Sequence, residues 1–112
     1  MPRLISRDKP CFIIAEIGSN HNGKLSQAKR LIKLARETGA DAVKFQSFTA
    51  SGLVSKKSAS FDTVKKFELP DSWLKGLYNF SKRLGIVFLC TPFEEKKADL
   101  LNKIGVPAFK IA

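Results

Sequence analysis

The sequence predicts an α/β fold built on a parallel sheet, and three observations predict it. Short apolar runs alternate with amphipathic helical stretches in the order βαβαβαβ, a pattern that requires right-handed crossovers between parallel strands. Glycines stand where each helix must stop, ahead of the next strand. Five polar residues, Glu16, Lys44, Gln46, Thr91 and Lys110, lie toward the C-terminal parts of otherwise apolar strands. That edge is where parallel α/β folds, barrels and doubly wound sheets alike, gather their active sites.

The chain of 112 residues is long enough for one core and too short for two ordinary domains. Its apolar fraction of 44% is that of a globular protein, and its net charge of +10 favours anionic partners. Aromatic residues do not interleave with the basic ones as in nucleic-acid motifs, so nucleic acid is a distant reading. Cys11 and Cys90 form no CxxC or disulfide framework. Both are expected as buried small hydrophobes in a reducing cytosol. The N-terminus shows no signal-peptide core and no run is apolar for long enough to span a membrane, so the expected location is cytoplasmic.

Residues 1–10 read as a polar, basic lead-in. The first strand is expected at 11–17, with Phe12, Ile14 and Glu16 on one face and Ile13, Ala15 and Ile17 on the other. A carboxylate at a strand end among apolar neighbours must be paired, hydrated or bound to something; a surface-edge carboxylate or an N-cap is the plain alternative. A glycine-punctuated loop at 18–24 follows. The first helix, 26–38, carries Ala28, Leu31, Ile32 and Ala35 at helical spacing, with Ser26 as N-cap and Gly39 beyond its end.

The second strand, 41–48, sets Ala42, Lys44, Gln46 and Phe48 on one face and Val43, Phe45 and Ser47 on the other. A lysine and a glutamine two residues apart on one face suit either a site or an edge strand with one wet face. Residues 49–69 form a long Ser- and Lys-rich connection with one weak element around 61–67, the kind of segment that serves as a lid or binding loop. The second helix, 72–84, is expected to be capped by Asp71 and to bury Trp73, Leu77, Phe80 and Leu84. The third strand, 86–91, is apolar enough to be buried on both faces. The third helix, 94–104, turns Ala98, Leu101 and Ile104 inward, and a fourth strand is expected at 108–112.

Two lysines on neighbouring strands beside the Thr91 hydroxyl suit a phosphate or carboxylate dianion. Glu16 and Gln46 could orient hydroxyls or move protons. A Schiff-base lysine remains an alternative, because barrel aldolases also place a lysine at a strand end. No GxGxxG or Walker motif supports a nucleotide loop. His21 is the only histidine; it is expected to hydrogen-bond within its loop rather than ligate a metal.

Four segments in order carry a resemblance: Ile14-Ala-Glu-Ile-Gly-Ser-Asn-His-Asn-Gly23, Val43-Lys-Phe-Gln-Ser-Phe48, Cys90-Thr-Pro-Phe93 and Gly105-Val-Pro-Ala-Phe-Lys-Ile-Ala112. Together they resemble the N-terminal half of the N-acetylneuraminate (sialic acid) synthase family, which includes pseudaminic and legionaminic acid synthases and spore coat polysaccharide enzymes. The resemblance implies a TIM (βα)8 barrel, of which this chain would be the first four βα units, ending at strand four. It implies condensation of phosphoenolpyruvate with an N-acetylated mannosamine-type sugar, release of phosphate, and help from Mn²⁺ or Mg²⁺. By motif, Lys44 and Lys110 resemble ligands of the phosphoenolpyruvate anions and Thr91 a further hydrogen bond to it. Glu16 and Gln46 resemble the residues facing the sugar and its aldehyde. Homo-oligomerisation is expected, with neither nucleic acid nor membrane as partner.

The pattern departs from the family in three ways. The metal-binding histidines of later strands, a serine after Ala112 and a C-terminal antifreeze-like domain are not in this chain. The tyrosine-containing stretch of the strand-two loop is not evident. Cys90 replaces a small residue such as serine. Half a barrel would leave strands one and four as open edges and self-associate. The rival readings are a 3-deoxy-octulosonate-8-phosphate synthase-like enzyme and a non-catalytic, anion-binding half-barrel or truncated product.

Overall fold

A computed structural model describes residues 5–112; the expected lead-in at 1–10 falls partly outside them. Eight elements follow in order: β1 (Ile14–Gly18), α1 (Leu25–Glu37), β2 (Ala42–Ser47), α2 (Ala50–Leu53), α3 (Phe61–Lys66), α4 (Asp71–Leu84), β3 (Val87–Pro92) and α5 (Glu95–Ile104). The three strands form one parallel sheet in the order β1-β2-β3. Sequential order without reversal means that the sheet winds in one direction. The buried residues agree: Ala28, Ile32 and Ala35 of α1, Leu74 and Leu77 of α4 and Leu101 of α5 share one core with Val43, Phe45, Phe88 and Cys90. All three long helices therefore cover the same sheet face, the winding of a barrel segment rather than of a doubly wound sheet.

Strand alternation divides the sheet into two unlike faces. Val43 and Phe45 point to the helices with Phe88 and Cys90, and the Phe45 and Phe88 rings stack with centroids 5.6 Å apart. On the opposite face Ala42, Val87 and Leu89 form a second, smaller apolar cluster with Phe12 and Ala108. β2 is the central strand and is buried almost throughout. The edge-strand reading of Lys44 and Gln46 is thereby excluded.

Several expectations are corrected. No fourth strand forms among the described residues: a single parallel bridge joins Phe109 to Cys90, and the Lys110 N–H donates to the Cys90 carbonyl at 3.2 Å. One bridge fixes too few residues to make a ladder, and Ile111 beyond it is 79% exposed. Strand one begins at Ile14 rather than at 11. Ahead of it the Ile13 N–H is held by the Asp41 carboxylate at 2.7 Å, and Cys11 is exposed, not buried. Ser26 is not a cap: α1 starts one residue earlier, with Lys24 at the cap position and no side-chain bond. Asp71 is not a cap either. Pro70 takes that position, and the Asp71 carboxylate instead receives Lys97 Nζ at 2.7 Å.

On α4 the buried stripe is Leu74, Leu77 and Ser81; Trp73, Phe80 and Leu84 pack half-buried along its margin. On α5 Leu101 is buried as expected. So, unexpectedly, is Lys97, whose ammonium reaches Asp71. The expected element at 61–67 is α3, and the connection holds a second short helix, α2. Thr49 caps α2 by accepting from the Gly52 N–H at 3.2 Å. The helix-ending glycines Gly39, Gly85 and Gly105 all have positive φ, as a left-handed stop requires.

Candidate functional site

The site stands at the C-terminal ends of the strands, on the face away from the helices. Register puts Glu16 beside Lys44 and Lys44 beside Leu89, and one step further puts Gln46 beside Thr91. Two polar rows therefore rest on the apolar floor of Ala42, Val87 and Leu89. Lys44 Nζ lies 2.5 Å from Glu16 Oε2. The pair is asymmetric. The Lys44 side chain is 8% exposed and that of Glu16 55%. A buried ammonium thus meets a carboxylate that water also reaches, and a second anion would be drawn to the same cation.

A bulge aims the carboxylate. β1 shifts register between Glu16 and Gly18, and Gly18 has φ +55°. A Cβ on Gly18 would stand 3.2 Å from Glu16 Oε1 and 3.7 Å from the Gln46 amide. Glycine is needed here twice over, for its left-handed backbone and because two functional side chains close over it. Gln46 Oε1 accepts from the Ser19 hydroxyl at 3.3 Å, which leaves the amide NH2 to donate elsewhere.

Thr91 is buried and its Oγ1 has no hydrogen-bond partner among the described residues. A buried hydroxyl without a partner costs free energy, so it is either a strain or a donor held ready. Lys110 follows β3 on its open side, but its side chain is exposed and in no ion pair among the described residues. Four of the five expected residues are therefore brought together, and Lys110 stands at the margin. Cys90 faces the helices. Burial pushes its thiol pKa up to about 12, against the opposing pull of Lys44, so it remains an unreactive thiol.

His21 does what a loop histidine was expected to do. It is fully buried, its Nδ1 accepts from the Gly23 N–H at 3.0 Å, and its ring meets Trp73 edge-on. Burial lowers its pKa and keeps it neutral. With Nδ1 occupied, its proton sits on Nε2, which has no partner among the described residues. No group of three or more His, Cys, Asp or Glu side chains among the described residues could hold a metal ion. The described residues therefore do not fit a divalent metal by themselves.

Sequence reasoning missed the ties that hold the long connection over this edge. Glu94 accepts from the Thr49 N–H at 3.2 Å and makes a short hydrogen bond with the Thr49 hydroxyl. That bond, more than any other contact, holds the Glu94 carboxyl below its ordinary pKa. Glu68 accepts from the Ala50 N–H at 2.6 Å. Two carboxylates thus stitch the start of α2 to the loop after β3 and to the lead into α4. Ser19 and Gly18 were legible only as loop punctuation; a glycine two residues after a strand-end carboxylate was the available signal.

These features define a parallel α/β protein that gathers charged and polar side chains at the C-terminal edge of its sheet. The sequence profile of the NeuB family matches residues 31–112. Spore coat polysaccharide biosynthesis protein SpsE of Bacillus subtilis is 42% identical over 98% of this chain and 32% of its own length. N-acetylneuraminate-9-phosphate synthase of Homo sapiens is 32% identical over 97% of this chain and 34% of its own. The crystal structure of a sialic acid synthetase from Leptospira borgpetersenii superposes with a TM-score of 0.87 at 35% identity, covering 92% of this chain and 36% of that one. The chain belongs to the NeuB family. It spans about a third of the length of the curated relatives it matches. No helix among the described residues is long and apolar enough to cross a membrane.

Proposed function

We propose that the chain supplies the anion-holding part of a sialic-acid-type synthase, which condenses phosphoenolpyruvate with an N-acetylmannosamine-like sugar and releases phosphate. The observation that carries the reading is the row Glu16, Lys44, Gln46, Thr91 on one sheet face, with a buried cation and an unpartnered buried hydroxyl. The sheet is read as the first strands of a TIM barrel, whose later strands complete the site. The enzyme works in the cytoplasm, as a homo-oligomer, with Mn²⁺ or Mg²⁺ held by residues outside this chain.

Lys44 holds an oxyanion of phosphoenolpyruvate, and the Thr91 hydroxyl donates to it. The Gln46 amide, its oxygen already engaged by Ser19, donates to the sugar. C3 of the enolpyruvyl group attacks the aldehyde carbon, and the aldehyde oxygen takes up a proton. Water adds at C2 and loses a proton, and the resulting hydroxyl gives up its remaining proton as the C2–O bond to phosphate breaks, which leaves the ketone and inorganic phosphate. Glu16 is the group placed to accept or return a proton, since it lies on Lys44 and remains open to solvent. Lys110 reaches the same anion when the ligand draws it in.

The test is phosphate release from phosphoenolpyruvate and N-acetylmannosamine by the full protein, with Lys44→Met beside it. The reading expects release that falls by about 10²–10³-fold in the variant. Turnover only with an aldose phosphate would shift the reading to the 3-deoxy-octulosonate-8-phosphate type. Binding of phosphoenolpyruvate without turnover would leave a non-catalytic anion site.

A further inference from the structure

A second concentration of charge lies on the helical side of the molecule, away from Glu16 and Lys44. α1 and α4 pack together there. Lys29, Gly76, Asn79, Lys82 and Arg83 line a groove of about 570 Å³ that contains no acidic side chain. The acidic residues of α1 and α4, Glu37 and Asp71, pair with Lys33 and Lys97.

The cations of the groove are held in place. Lys29 Nζ and the Arg83 guanidinium both lie over the Phe80 ring, at 5.7 and 5.8 Å from its centre, and Lys82 Nζ lies 5.1 Å from that of Tyr78. Such stacking fixes long side chains that would otherwise lose freedom on binding a ligand. Gly76 adds an independent observation. It sits inside α4, where glycine weakens a helix relative to alanine. Nothing lies within 4 Å of where its Cβ would be, so packing inside this chain does not require it. The missing side chain leaves bare backbone on the wall of the groove.

We propose that this groove docks an extended acidic segment of a partner polypeptide, with carboxylates on Lys29, Lys82 and Arg83 and its main chain close to Gly76. The groove is lined by cations and no carboxylate, which selects an acidic ligand, and the bare backbone at Gly76 gives a main chain room to approach. Single-stranded nucleic acid would need open aromatic faces for its bases, and the Phe80 and Tyr78 rings are already covered by the cations. A planar lipid surface would touch the rims of the groove and leave Gly76 unused.

The test measures fluorescence anisotropy of a labelled oligoglutamate peptide against the full chain at low salt. It compares Lys29→Glu/Lys82→Glu/Arg83→Glu with Lys9→Glu/Lys56→Glu/Lys103→Glu, which changes net charge equally on exposed residues outside the groove. The expected result is a loss of about tenfold or more in the groove variant and under about twofold in the other. Gly76→Ala should raise the melting temperature and still weaken the peptide, a combination that misfolding cannot produce. Equal losses in the two triple variants, absence of peptide binding, or tighter binding of oligothymidylate or phosphatidylserine vesicles each overturn the proposal.

Discussion

The two faces of the sheet are made by the same strands and have opposite characters. Toward the helices, Val43, Phe45, Phe88 and Cys90 are buried in one apolar cluster, and only Ser47 at the end of β2 brings a buried hydroxyl without a partner among the described residues to that side. Away from them, one residue along, stand Lys44, Gln46 and Thr91, with a buried ammonium and an unpartnered hydroxyl. Except at Ser47, the first face is consistent from β-propensity to packing. The second sets the unpartnered Thr91 hydroxyl on the same face as a buried ammonium, the combination that marks it as the candidate ligand site. If the apolar face carries stability and the polar face the proposed chemistry, substitutions should separate the two.

The largest expected effect lies on the apolar face. Phe45→Ala removes a fully buried ring stacked on Phe88. It should cost about 3–5 kcal/mol in denaturant unfolding, against a total near 5–15 kcal/mol for a domain. A loss under about 1 kcal/mol would mean that this core is not packed as described. On the polar face, Glu16→Gln and Lys44→Met should differ although they break the same pair. Removing Glu16 leaves a buried ammonium alone and should cost about 1–3 kcal/mol. Removing Lys44 leaves a carboxylate that is 55% exposed and that water can solvate, so stability should change by under about 1 kcal/mol. Equal losses would show that the burial of the two partners is not what decides.

Thr91→Val sharpens the contrast further. The hydroxyl is buried and unpartnered, so replacing it by a methyl group of similar shape should raise stability by about 1 kcal/mol. The same change should weaken phosphoenolpyruvate binding, measured by calorimetry on the full protein. A variant that is both less stable and unchanged in binding would assign Thr91 to the fold alone.

The apolar face was the more legible of the two in the sequence. Alternation in β2 and helical spacing in α1 named Val43, Phe45, Ala28, Ile32 and Ala35 correctly, because one period governs each element. On α4 Leu77 was named correctly, but Leu74 and Ser81 are buried where Trp73 and Phe80 were expected. Trp73 and Phe80 are more hydrophobic than the Ser81 that is in fact buried, and Ser81 is tolerated because its hydroxyl bonds the Leu77 carbonyl. The site residues were legible as polar interruptions in apolar strands, but not the ties between them. Glu94 to Thr49 and Lys97 to Asp71 join residues 45 and 26 positions apart, and no local pattern records such contacts. The fourth strand was over-read, since the run 108–112 is apolar enough for a strand but makes only one bridge.

The smallest effect concerns the loop beside Glu16, where a polar group serves the fold rather than the chemistry. His21 is buried, neutral and bonded through Nδ1 to the Gly23 N–H, and burial depresses its pKa below 6.5. The unfolded chain therefore takes up a proton near pH 6.5 while the folded chain does not. The contribution of His21 is full above that pH and is lost as pH falls below it and through the depressed folded value. Glu94 is depressed as well, but its window opens only below 4.5. Urea midpoints should be level from about pH 8 to 7 and should decline as pH falls below about 6.5. His21→Asn keeps an acceptor for Gly23 and has nothing to titrate, so it should remove that decline. If the slope persists in the variant, His21 is not its source, and the loop owes its acid sensitivity to another group.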